Sequence, residues 1–143
     1  MLVMTRDEIE ARVNEVVERR PEVVVAYMFG SVARGTAGPL SDVDVAVLLR
    51  EDVDAFEVRL SILGELAEML GSDDLDLVVL SEAPISLAYR VLRDGRLLVS
   101  KDEGTRVRHR VEVVDRYLDM EPFRRVQAEA LSHRLQETRF GRS

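Results

Sequence analysis

Asp42 and Asp44 stand two residues apart at the head of an apolar run that continues to Leu49, although aspartate is depleted in strands. If the run is a strand, its period of two puts both carboxylates on one face, about 7 Å apart along the chain. Like charges so placed repel and lose hydration unless something positive lies between them. Mg²⁺ suits such a pair, because it prefers oxygen ligands and binds through one or two carboxylates together with substrate phosphates. The run Asp74-Leu75-Asp76-Leu77 repeats the pattern. Were the two runs neighbouring strands, a third carboxylate would join the first two. Three converging carboxylates can hold two ions roughly 3.5–4 Å apart, which clamp the entering and leaving oxygens of a displacement. The pattern by itself does not choose between Asp74 and Asp76, and capping or edge-solubility roles are the other reading of these residues.

Upstream lies Gly30-Ser31-Val32-Ala33-Arg34-Gly35, following the apolar run Val23–Phe29. A glycine-serine turn leaving a strand for a helical turn exposes backbone N–H groups and a hydroxyl, which together can hold phosphate oxygens. Gly30 lets the chain turn and a ligand approach the backbone. Arg34 offers a guanidinium fork to a phosphate. Alone, this turn is a weak signal. Ten residues separate Ser31 from Asp42, and a phosphate cradle beside a carboxylate-held metal cluster implies phosphoryl or nucleotidyl transfer from a metal-bound triphosphate.

These residues must be positioned by regular elements. Thr5-Arg6-Asp7-Glu8 fits a capping box, and Ile9, Val13, Val16 and Val17 follow at helical spacing until Pro21. Strands are predicted over Val23–Phe29, Asp42–Leu49, Asp74–Leu80 and Arg96–Ser100. Residues 53–70 place Val53, Phe56, Leu60, Leu63, Leu66 and Leu70 on one helical face, and Gly71 stops them. Pro84 begins a short helix that Asp94-Gly95 ends. From about Glu103 the chain reads as helix, with a break expected near Pro122. The alternation of strands and helices, without linker or repeat, predicts one α+β domain with a mixed β-sheet flanked by helices.

The 143 residues are 46% hydrophobic and 33% charged, a composition suited to one compact domain. Cysteine is absent, which excludes disulfides, thiol nucleophiles and thiolate metal sites. His109 and His133 are far apart in sequence and are expected on the surface or in helix packing. No apolar run approaches the ~20 residues a membrane helix needs, and the charged start lacks signal-peptide character, so a cytoplasmic protein is expected. The net charge of −7 argues against binding nucleic acid through its phosphates. Residues 105–143 nevertheless hold nine arginines against six acids, a solvated face or a surface for a partner.

Gly30-Ser31 with Asp42-Val43-Asp44 at this spacing resembles the signature of the DNA polymerase β-like nucleotidyltransferase superfamily. The short chain, the Asp76-Leu77-Val78 strand and the segment from Ala83-Pro84 to Tyr89–Arg96 are similar to its minimal nucleotidyltransferases (the MNT, or MntA-like, antitoxins). The likeness covers about residues 22–100. It implies a single nucleotidyltransferase domain over 1–143, with its core at about 22–100 and a C-terminal helical extension at about 103–140. By this resemblance Asp42, Asp44 and Asp76 would ligate Mg²⁺, two ions in all, and Asp76 would also be the general base. Gly30 and Ser31 would hold the triphosphate of ATP, with Arg34 in support. The implied reaction transfers AMP to a tyrosine of a HEPN toxin, silencing it within a type VII toxin–antitoxin system, in complex with that toxin. The alternatives are an antitoxin that neutralises by binding alone and a small-molecule transferase of the aminoglycoside-modifying kind.

Overall fold

The computed structural model describes residues 4–30 and 43–140. Helix α1 (Arg6–Arg19) starts where Thr5 Oγ1 accepts the Glu8 N–H at 3.2 Å, which satisfies one of the amides a helix start leaves open. Strand β1 (Val23–Phe29) follows, then β2 (Val43–Leu49). Helix α2 (Ala55–Leu70) is capped by Asp54, whose carboxylate accepts the Glu57 N–H at 3.2 Å, and is closed by Gly71 at φ +66°. Sequence periodicity started this helix at residue 53. The cap sets the boundary two residues later, because Asp54 offers the stronger local bond.

Strand β3 (Leu75–Val79) leads through a 3₁₀ turn (Leu80–Glu82) into α3 (Ile85–Asp94), β4 (Arg96–Ser100) and the long helix α4 (Glu103–Phe140). The break expected at Pro122 does not occur, and α4 runs through it for 38 residues, about 57 Å. A proline inside a helix removes one hydrogen bond. Here that loss is local, and long stretches of helix-forming residues on both sides carry the helix across it. Among the described residues, no helix is long and apolar enough to cross a membrane.

Among the described residues, four strands lie in the order β3-β2-β1-β4. β1 is antiparallel to both β2 and β4, and β2 is parallel to β3, so the sheet is mixed. The alternation of side chains feeds two cores. On one face Val43, Val45, Val47, Leu77 and Val79 meet Val13, Val16 and Val17 of α1 and Ile62 and Leu66 of α2. On the other, Tyr27, Ala46 and Leu48 meet Ala88 and Val91 of α3 and Val113 of α4. Each fully buried large side chain contributes about 1.5–3 kcal/mol to this packing. A register shift between Val23 and Val25 marks a bulge near the start of β1.

Candidate active site

The end of β1 and the beginnings of β2, β3 and β4 share one end of the sheet. Phe29 pairs with Asp44 on one side of β2, and Asp44 pairs with Asp76 on the other. Asp44 has the parity of Ala46 and Leu48, and Asp76 that of Val78. Both carboxylates therefore sit on the face covered farther along by α3 and α4. Strand spacing puts the two backbones about 4.8 Å apart there. Asp44 is half-buried and Asp76 is exposed.

Gly30 closes this corner. It holds φ at +79°, and a Cβ added to it would lie 2.3 Å from Asp44 Oδ2. The backbone conformation favours glycine, and any larger residue would have to push the Asp44 carboxylate aside. The chain thus leaves β1 directly against the carboxylate of the neighbouring strand.

Asp74 is placed differently. Its carbonyl accepts the Val43 N–H at 3.0 Å and its own N–H donates to Ser72 Oγ at 3.0 Å. These backbone bonds pin the turn before β3 to the head of β2. The register that sets Asp76 opposite Asp44 leaves Asp74 outside the strand, in that turn.

Of the residues expected to form the site, the structure brings together Gly30, Asp44 and Asp76. Ser31, Arg34 and Asp42 lie outside the described residues. Among the described residues, no three His, Asp or Glu side chains converge on one point. Asp44 and Asp76 supply only oxygen donors, the chemistry that a hard cation such as Mg²⁺ takes, and their shared face and register fit such an ion.

Arg59 was not apparent in the sequence. It belongs to α2, yet its side chain reaches the outer edge of β3, where Nε donates to the Leu77 carbonyl at 2.8 Å and Nη2 lies 3.5 Å from Asp76 Oδ1. In sequence it is an arginine on the flank of an amphipathic helix, and only the placement of α2 beside an edge strand reveals its partner. At the opposite edge of the sheet, Arg96 at the head of β4 pairs with Glu10 of α1 at 2.9 Å. Arg93 and Asp94 at the end of α3 form a two-bond pair, which holds the Arg93 guanidinium above its usual pKa.

His109 lies at the opposite end of the sheet, in a cleft with Leu48, Lys101 and Val113. Burial pushes its imidazole below the ordinary value, against the raising effect of Glu112. His133 is exposed on α4. Neither histidine belongs to the aspartate corner.

Residues 11–104 match the family described as Polymerase beta, Nucleotidyltransferase. The chain is 37% identical over 78 residues to the protein adenylyltransferase MntA of Shewanella oneidensis, a match over 54% of this chain and 55% of that protein. The match thus spans about half the length of that relative. In three dimensions the chain resembles one from a toxin–antitoxin complex crystallised with AMP-PNP, with a TM-score of 0.72, 27% identity, and coverage of 86% of this chain and 98% of that one. It also shares the fold of a chain from the complex of tri-AMPylated Shewanella oneidensis HEPN toxin with MNT antitoxin. There the TM-score is 0.69 and the identity 23%, over 90% of this chain and 99% of that one.

Proposed function

The chain belongs to the polymerase beta nucleotidyltransferase family, and on that premise we propose that it is a Mg-ATP-dependent protein adenylyltransferase, the antitoxin of a HEPN toxin in the cytoplasm. The observation that carries the proposal is the corner itself, with Asp44 in register with Asp76 and Gly30 pressed against the Asp44 carboxylate. The similarity to MntA, a protein adenylyltransferase, supports a protein acceptor. The solved toxin–antitoxin complex with AMP-PNP supports ATP as the donor and a toxin as the partner.

In this reading Asp42, Asp44 and Asp76 hold the metal, and Gly30 and Ser31 hold the triphosphate with Arg34 beside them. Mg²⁺, two ions in all, would polarise the α-phosphate and offset the charge on the leaving pyrophosphate. The acceptor tyrosine oxygen forms a bond to the α-phosphorus, the bond from that phosphorus to the bridging oxygen breaks, and pyrophosphate departs. Asp76, exposed at the edge of the site, takes the hydroxyl proton as general base and passes it to solvent. Residues 22–100 carry this chemistry. The helix over 103–140 serves the partner, and in its first half Val107, Val111 and Leu118 are exposed apolar residues on one side.

Incubation of the protein with Mg²⁺, α-labelled ATP and its HEPN toxin tests the proposal. Label is expected on the toxin with the native chain and none with Asp44→Asn. Co-purification without transfer of label would instead support neutralisation by binding alone.

A further inference from the structure

We propose that Arg59 is the positioning residue of Asp76, an inference that rests on the reading of Asp76 as a metal ligand. Among the described residues β3 is an edge strand, with no neighbouring strand there to satisfy its outward carbonyls. Arg59 takes one of these, the Leu77 carbonyl, at 2.8 Å. That bond ties the guanidinium to the residue next to Asp76, on the strand that carries the carboxylate. The planar fork then sets Nη2 beside Asp76 Oδ1 at 3.5 Å. That contact fixes the orientation in which the Asp76 carboxylate meets a cation or a proton.

The bond to the Leu77 carbonyl serves the strand edge, whereas the ion pair with Asp76 adds little to stability, because the Arg59 and Asp76 side chains are 36% and 58% exposed. Its geometry matches the outer-shell contacts that orient ligating carboxylates, whose loss typically weakens metal binding about 10- to 100-fold. Charge alone works in the opposite direction, since a guanidinium beside the site repels a divalent cation. The two effects can therefore be told apart by sign.

The test is a titration of Mn²⁺ into the full chain saturated with α,β-methylene-ATP, followed by electron paramagnetic resonance, for the native protein, Arg59→Ala, Arg59→Lys and Asp76→Asn. Thermal unfolding of each variant verifies that it is folded. Lysine keeps the charge but presents one ammonium on a flexible stem instead of a fork. Arg59→Ala and Arg59→Lys are both expected to bind Mn²⁺ roughly 10- to 100-fold more weakly, with Tm nearly unchanged. Equal or tighter binding by Arg59→Ala, or native affinity in Arg59→Lys, would overturn the inference while Asp76→Asn still binds weakly. Native affinity in Asp76→Asn would overturn the ligand role of Asp76, and this inference with it.

Discussion

Replacing Gly30 with alanine probes the corner most directly, because the structure supplies both parts of the effect. The first is conformational. At φ +79° an L-residue pays about 1–2 kcal/mol that glycine does not, which lowers Tm by roughly 3–8 °C in a domain of this size. The second is local. The new methyl would lie 2.3 Å from Asp44 Oδ2, where ordinary contact begins at 3.4 Å, so the carboxylate must retreat by about 1 Å. A misplacement of that size in a reacting assembly typically slows it about 100-fold. Gly71→Ala separates the two parts, since Gly71 also has positive φ, at +66°, but nothing lies within 4 Å of its added Cβ. Transfer of labelled AMP to the toxin is measured at 20 °C, well below both transitions, alongside the unfolding curves. Both variants are expected to lose similar stability, and only Gly30→Ala to lose about two orders of magnitude in rate. Native rates in Gly30→Ala, or an equal loss in Gly71→Ala, would refute the placement of Asp44 in the chemistry.

Asp76→Asn is expected to slow transfer roughly 10²- to 10⁴-fold, whereas Asp74→Asn, which keeps the backbone bonds that Asp74 makes, leaves the rate near native; comparable losses at both positions would contradict the register argument. Glu65 receives hydrogen bonds from Arg19 and, at 2.8 Å, Arg20, and these hold its carboxyl below the usual range, led by the Arg19 bond. Its contribution is present above the ordinary carboxylate pKa and is lost as the pH falls through the lowered folded value. Glu65→Gln should therefore destabilise the chain by about 1 kcal/mol at pH 7 in urea unfolding, and by less near pH 3. His109 resists protonation in the folded state because it is partly buried, so the unfolded chain takes up the proton first and stability falls as pH drops below about 6.5. His109→Gln should flatten the Tm profile between pH 7 and 5; an unchanged slope would show that His109 does not contribute to it.

Much of the architecture is legible because local signals and packing agree. Thr5 caps α1, the apolar run Val23–Phe29 is β1 end to end, and Arg96–Ser100 is β4 end to end. Where a local rule failed, another local bond or a wider context had more weight. Asp54 moved the start of α2 inward, and α4 passed Pro122. Strand order is different in kind, since no single segment encodes its neighbours. The same limit applied to the site. The pairing of Asp44 with carboxylates downstream could be anticipated from two similar runs, but the runs alone do not separate Asp76 from Asp74; the family resemblance pointed to Asp76, and the parallel register of β2 and β3 sets it opposite Asp44. Arg59 was illegible because its partner lies across an edge that exists only once α2 and β3 have packed.

That register has a consequence for how such a chain can change over generations. The alternation that sets Asp44 against Asp76 is the one that buries Val45, Val47, Leu77 and Val79. A single-residue insertion that shifted β3 by one place against β2 would carry its aliphatic side chains to the face of α3 and α4 and Asp76 to the face of α1 and α2, so the packing would fail together with the alignment of the two acids. An insertion of two residues restores the parity. The fold thus screens its own variants: a chain whose β2 and β3 mate well enough to survive as a folded protein has already set its two acids on the same side.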